Sequence, residues 1–144
     1  MRALAFLVGL LFAIVPAAAD EMAVLSVLVQ HISPKGGDLR LALYDRKGFA
    51  DDNAEPIIDT VAPAKGYSVL VTFAPVRPGT YAVKMFQDEN RNGEFDQNFI
   101  GLPKERYGFS NNVGPDWMRL SAPSFDAAKI ELKPGENKIS IWLH

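Results

Sequence analysis

The chain has 144 residues, of which 48% are hydrophobic, 22% are charged and none is cysteine, and its formal net charge is −2. This length corresponds to one domain, and with no disulfide available its stability has to come from packing or from a bound ion. The slightly acidic balance and the lack of a basic cluster argue against a nucleic-acid partner.

The N-terminus has the pattern of a secretory signal peptide. Arg2 precedes an apolar run at residues 3–15, which Pro16 and three alanines at residues 17–19 end. The run is shorter than the roughly 20 apolar residues that span a bilayer. We therefore predict a cleaved signal at residues 1–19 and a single mature domain at residues 20–144. Because position 20 is Asp, not Cys, the product is predicted to be periplasmic or secreted, not a lipoprotein, with no membrane insertion.

Short runs with alternating apolar residues follow the signal, and turn residues separate them. This pattern is typical of strands that bury one face of a sheet. Six runs are clear and one is weaker, at residues 25–29, 39–43, 57–61 (the weaker run), 67–73, 80–86, 128–132 and 139–143. They predict an all-β fold, an antiparallel β-sandwich of about seven strands that is immunoglobulin-like or transthyretin-like. A closed barrel is the alternative. Residues 51–56 and 101–124 are predicted to be irregular, with at most a turn or two of helix.

The segment after the fourth clear run has the spacing of the first part of a calcium loop. Oxygen-bearing side chains lie at positions 1, 3, 5 and 9, glycine lies at position 6, and position 7 offers a backbone carbonyl. The candidate ligands are Asp88, Asn90, Asn92, Glu94 through its carbonyl, and Asp96. Position 12 is Phe99 where a helix–loop–helix hand needs a bidentate Glu, so the site would be a calcium loop between strands.

A metal-free turn explains the same residues. Asn92-Gly93 favours a hairpin turn, and Asp and Asn side chains hydrogen-bond to their own backbone in loops. Only Asp88 and Asp96 would bring charged side-chain ligands, which predicts weak affinity, on the order of 10⁻⁴–10⁻³ M. The spacing leaves both readings open, with calcium as the only cofactor that the sequence suggests.

A second unusual segment contains aromatic residues beside amides and glycine. Its candidate ligand-binding residues are Tyr107, Phe109, Asn111, Asn112 and Trp117. Rings on which a ligand stacks, beside fixed donors and acceptors, suit a small polar ligand such as a sugar. Alternatively, the rings pack into one end of the sandwich as a lid while the two Asn residues cap backbone groups.

Several motifs in this order resemble the secreted bacterial proteins of the domain of unknown function 2141 family. They are Arg-Leu-Ala-Leu-Tyr-Asp at 40–45, Pro-Gly-Thr-Tyr-Ala-Val at 78–83, Asp-Glu-Asn at 88–90 with Asn-Gly at 92–93, Gly-Leu-Pro at 101–103 and Tyr-Gly-Phe-Ser-Asn-Asn at 107–112. The resemblance implies an exported bacterial β-sandwich and supplies no established activity.

The sequence offers no recognisable catalytic constellation. There is no Cys, His31 and His144 lie in no motif, and Ser110 lacks a Gly-x-Ser-x-Gly frame. We therefore expect a non-catalytic protein of the cell envelope that has an envelope partner or a small polar ligand. The alternatives are a small-ligand or carbohydrate-binding module that uses residues 107–117 and, with less support, a hydrolase that uses the acidic loop.

Overall fold

The computed structural model describes residues 21–114 and 121–144. Within them the chain forms eight strands and two four-residue helices, which confirms the predicted all-β sandwich. The strands are β1 (Ala23–Gln30), β2 (Asp38–Tyr44), β3 (Ile58–Pro63), β4 (Ser68–Thr72), β5 (Gly79–Asp88), β6 (Tyr107–Phe109), β7 (Ile130–Leu132) and β8 (Gly135–Trp142). The helices are α1 (Arg46–Phe49) and α2 (Phe125–Ala128), and a 3₁₀ turn spans Ser110–Asn112. The predicted signal peptide lies outside the described residues.

Two sheets face each other. The first has the order β4-β1-β8, in which β1 pairs antiparallel with β4 and parallel with β8. The second has the order β3-β2-β5-β6, all antiparallel, and β7 pairs with the start of β5. The weaker predicted run, at residues 57–61, corresponds to β3. The parallel β1–β8 pair departs from the fully antiparallel arrangement that we expected.

Alternation along the strands builds the core between the sheets. Every second residue of β1 and β2 is buried, including Leu25, Val27, Leu41 and Leu43, and Phe73 packs with them. Because side chains on a strand point alternately to its two faces, the intervening residues face away from the core. The outward face of the second sheet therefore carries Arg40, Ala42 and Tyr44 from β2, and it is this face that positions the candidate site.

The last residue links the two sheets at one side. Tyr107 of β6 and His144 exchange backbone hydrogen bonds, with N···O distances of 3.3 and 2.9 Å. On the other side of the described structure, β3 and β4 are not paired with each other. The molecule is thus a sandwich closed along one side, which is intermediate between the predicted sandwich and the alternative barrel.

The structure differs from the sequence prediction at two short elements. Tyr107–Phe109 forms a strand within the segment predicted to be irregular, and Ala128, which the alternation predicts to lie in a strand, ends α2. None of the helices in the described ranges is long and apolar enough to cross a membrane.

Candidate functional site

The acidic loop begins at a buried ion pair. Asp88, the last residue of β5, has a fully buried side chain, and its Oδ2 accepts a hydrogen bond from Arg40 Nε at 2.7 Å. The same carboxylate accepts the backbone N–H groups of Asn92 (3.1 Å, to Oδ1) and Gly93 (2.9 Å, to Oδ2). Both oxygens of the first predicted calcium ligand are therefore engaged by this chain's own donors.

These donors also set the charge state of the loop. Burial alone would raise the pKa of Asp88, but the hydrogen bonds from Arg40, Gly93 and Asn92 together hold that pKa below its ordinary value. Asp88 is therefore a carboxylate at neutral pH, and the Arg40 guanidinium compensates its charge.

The other predicted ligands form a hydrogen-bonded turn. The Oδ1 atoms of Asn90 and Asn92 accept the backbone N–H groups two residues further on, and the Nδ2 atoms of both donate to Asp96. Glu105, buried on the neighbouring segment, accepts the N–H groups of Glu89 and Asp96. A cation in this loop would have to compete with these contacts.

Across residues 21–114 and 121–144, no group of three or more His, Cys, Asp or Glu side chains is placed to hold a metal ion. A calcium site that uses Asn side chains and a backbone carbonyl is outside that criterion. Calcium binding by the five predicted ligands accordingly stays a prediction.

The polar residues of the 107–112 segment attach it to the rest of the fold. Asn111 Nδ2 donates to the carbonyls of Ala127 and Lys129, at 3.0 and 2.8 Å. Asn112 donates to the Ser140 carbonyl and accepts the Trp142 N–H, which ties the 3₁₀ turn to β8. The two amides thus cap backbone groups, as in the lid alternative, and Trp117 lies outside the described residues.

Tyr107 and Phe109, in contrast, line a groove of about 370 Å³ on the outward face of the second sheet. Small-molecule sites occupy roughly 300–1,000 Å³. Ala42 lies on β2 between the larger side chains of Arg40 and Tyr44, so its methyl group leaves a depression in the sheet surface. Strand pairing places residues of β2, β3, β5 and β6 around this depression.

Aromatic rings form one wall of the groove. Phe86 of β5 is the register partner of Tyr107, and Phe95 from the acidic loop packs against both, with ring centroids 5.4 and 5.8 Å away. Phe109 continues the wall, 6.0 Å from Tyr107. The acidic loop and the aromatic segment, which are separate features in the sequence, therefore meet at one site.

The Tyr107 hydroxyl is buried and has no hydrogen-bond partner among the described residues. Only 8% of the Tyr107 surface is exposed, and this burial raises the pKa of its phenol. A buried polar group without a partner costs about 1–3 kcal/mol. Such an atom at the wall of a groove is a position where a ligand could supply the missing hydrogen bond.

Charges of both signs surround the groove. Arg40 donates to Asp88 through Nε alone, and its two terminal nitrogens make no hydrogen bond within the described residues. Lys84 Nζ lies 4.8 Å from the Phe49 ring centroid and 3.6 Å from Asp52 Oδ1. Lys84 Nζ is also 5.1 Å from the Tyr44 ring centroid, and burial and then the charges of Glu55, Asp59 and Asp52 raise the pKa of Tyr44. The groove therefore offers apolar walls with polar groups at its rim.

Sequence reasoning identified Tyr107 and Phe109 but missed Ala42, Phe86 and Phe95. The alternation in β2 and β5 placed Ala42 and Phe86 on the outward face, which was the available signal. Their proximity to Tyr107 depends on the pairing of β5 with β6, and β6 was not predicted.

The family model described as "Uncharacterized protein conserved in bacteria (DUF2141)" matches residues 27–140, from β1 to β8. No curated protein and no solved structure gives a significant match to the chain. The matched range contains both the acidic loop and the groove, and the family description assigns no activity to either.

Proposed function

We propose that this chain, which belongs to the bacterial DUF2141 family, is a non-catalytic binding protein of the cell envelope. Its ligand is a small molecule with an apolar or ring-shaped body and a polar edge, held in the groove over Ala42. The signal-like N-terminus supports export, with the periplasm or the exterior as destination.

The observation that carries this proposal is the Tyr107 hydroxyl at the wall of an aromatic groove, which has no hydrogen-bond partner in residues 21–114 and 121–144. Exposed ring faces give a ligand apolar contact, and the rim groups of Arg40 and Asp59 give it polar contacts. The hydroxyl itself has almost no solvent exposure, so a ligand reaches it only when neighbouring rings move. Phe95, which is 36% exposed and lies on a loop, is the ring best placed to do so.

A binding role also agrees with the contacts that the buried acidic side chains and His31 make. Asp88 and Glu105, the two buried acidic residues of the described ranges, are both engaged in hydrogen bonds that hold the acidic loop. His31 is packed between two aromatic rings, far in sequence from either acid. These contacts occupy the buried carboxylates of the acidic loop, which argues against a hydrolase that uses that loop.

The test is an NMR titration of the mature protein with 2-naphthol, a flat ring system with one polar edge. We expect backbone amide shifts to concentrate at Ala42, Lys84 and Gly93. Ala42→Phe fills the depression from an outward-facing position and should abolish these shifts while the melting temperature stays near that of the native protein. Tyr67→Ala, on the opposite sheet, is the matched control and should leave the shifts unchanged. Scattered shifts, or shifts that persist in Ala42→Phe, would reject the groove as the binding site.

A further inference from the structure

A row of aromatic side chains crosses the end of the first sheet, on the side of the molecule away from the groove. Tyr67 precedes β4, His31 follows β1 and Trp142 ends β8, so the three residues lie on neighbouring strands. The His31 ring centroid is 5.4 Å from that of Tyr67 and 5.5 Å from that of Trp142. The row is therefore continuous.

Hydrogen bonds and backbone geometry hold the row in place. Trp142 Nε1 donates to Gln30 Oε1 at 2.7 Å, and Arg106 Nη1 donates to the His31 carbonyl at 2.6 Å. His31 has a φ of 61°, in the left-handed region that non-glycine residues seldom adopt. An uncommon backbone conformation that places a ring between two others is a reason to look for a function there.

Two of the three aromatic residues are exposed to solvent, and His31 between them is partly buried. Tyr67 is 64% exposed and Trp142 is 46% exposed, and Leu70 and Leu28 continue the patch along the same sheet face. The imidazole nitrogens of His31 make no hydrogen bond with any residue in the described ranges. The surface thus combines exposed ring faces with free polar groups at their edges.

We propose that Tyr67, His31 and Trp142 form a second binding surface, for the pyranose rings of an oligosaccharide. A sugar ring has an apolar face that packs on an aromatic ring and hydroxyl groups that pair with side chains such as His31 and Arg106. A protein partner fits less well, because these partly covered side chains offer on the order of a few hundred Å², against roughly 800 Å² per partner in a stable protein interface.

Isothermal titration of the mature protein with cellohexaose, chitohexaose and maltohexaose tests the proposal. We expect binding of at least one of them. Tyr67→Ala, whose side chain makes no hydrogen bond with the described residues, should weaken it about five- to tenfold, as the loss of one aromatic contact implies. Trp142→Phe, which keeps a ring but loses the bond to Gln30, should have a smaller effect.

Leu70→Ala is the matched control, because it removes apolar surface from the same face without removing a ring. Its affinity for the hexasaccharide should stay within about twofold of the native value. Absence of binding to all three sugars overturns the proposal. So does equal weakening by Leu70→Ala and Tyr67→Ala, since a general apolar patch would behave in that way. Concentration-dependent dimerisation in ultracentrifugation that both variants abolish would instead assign this face to self-association.

Discussion

Arg40 Nε lies 2.7 Å from Asp88 Oδ2 and joins the middle of β2 to the end of β5, at the point where the chain enters the acidic loop. The Asp88 side chain is fully buried, whereas the Arg40 side chain keeps 32% of its surface exposed. One carboxylate therefore fixes a guanidinium at the groove rim and also accepts the loop's N–H groups. Loop conformation and groove charge depend on the same contact.

The first prediction concerns acid stability. Because the folded state lowers the pKa of Asp88, the unfolded chain binds this proton more readily, and falling pH favours unfolding. The contribution of Asp88 is complete well above its ordinary pKa of 3.8 and is lost as pH falls through that value and then through the folded one. Urea denaturation of the native protein at pH 7, 5, 4 and 3 should show this loss.

Asp88→Asn provides the comparison, since it cannot titrate. We expect it to be less stable by about 2 kcal/mol at pH 7, because a charged hydrogen bond is lost, and to depend less on pH between 5 and 3. Asp126→Asn serves as the control: Arg46 and Lys129 lower the pKa of Asp126, but this side chain is exposed and solvent screens its contacts. Identical pH profiles for the native protein and Asp88→Asn would contradict the prediction.

The second prediction uses the ion pair to test calcium binding. In the native protein the Arg40 guanidinium already neutralises Asp88, so calcium should bind weakly and raise the melting temperature only at millimolar concentration. Arg40→Gln leaves a buried carboxylate without its counterion, which should cost roughly 3 kcal/mol. We expect calcium to restore part of that loss, because the ion can replace the missing positive charge.

The measurement is thermal unfolding with and without about 5 mM calcium, which exceeds the 10⁻⁴–10⁻³ M dissociation constants of weak calcium sites. Magnesium at the same concentration is the parallel salt. Adding Asp96→Asn to Arg40→Gln removes the second charged ligand and should abolish the calcium effect. If calcium shifts neither protein, the loop is a metal-free turn. An equal shift of the native protein and Arg40→Gln would contradict the expectation that calcium replaces the missing guanidinium charge.

Alternation made most of the fold predictable. In β1 and β2 every second residue is apolar, and these are the residues buried between the sheets, so pattern and structure agree. The three-residue strand β6 could not be predicted in this way. It has glycine at its centre and directs Tyr107 and Phe109 to the outward face, where Phe49 and Phe125 form a second, smaller cluster.

The groove was less predictable than the fold. Its residues come from four strands and a loop, and the spacing along the chain does not indicate which residues pair across strands. The ladder that places Phe86 beside Tyr107 also depends on β6. The acidic loop was easier to identify because its hydrogen bonds are local, with Asp88 and Asn92 four residues apart. The sequence alone therefore identifies the acidic loop, whereas the groove that this loop borders can be identified only once the sheet topology is known.

The third prediction concerns Ser110, which is fully buried beside β5. Its hydroxyl accepts the Val83 N–H at 2.9 Å and donates to the Ala128 carbonyl, so it joins the central strand to the end of α2. Ser110→Ala removes both bonds and leaves two buried backbone groups unpaired, which should cost about 2–4 kcal/mol in the free energy of unfolding. Urea denaturation measures the loss.

Ser124→Ala is the matched control for Ser110→Ala. The Ser124 hydroxyl, at the N-cap of α2, also accepts a backbone hydrogen bond, from Ala127, but in an exposed position. Loss of such a cap should cost about 1 kcal/mol. Equal losses in the two variants would mean that burial of the Ser110 hydroxyl adds nothing, contrary to the expectation.

The fourth prediction concerns Tyr107, the residue that carries the proposed function. Its hydroxyl is buried without a partner among the described residues, so Tyr107→Phe should keep the native free energy of unfolding or raise it by up to about 1 kcal/mol. Tyr81→Phe is the control, because the Tyr81 hydroxyl donates to the Arg77 carbonyl at 2.9 Å and its loss should destabilise the protein slightly. The two variants remove the same atom from the same residue type, so opposite signs of the two stability changes isolate the effect of the missing partner.

If ligand binding satisfies the Tyr107 hydroxyl, Tyr107→Phe should also weaken 2-naphthol binding in the NMR titration without loss of stability. A destabilised Tyr107→Phe would show that the hydroxyl is already paired in solution, and the groove would then lose its strongest argument for a ligand.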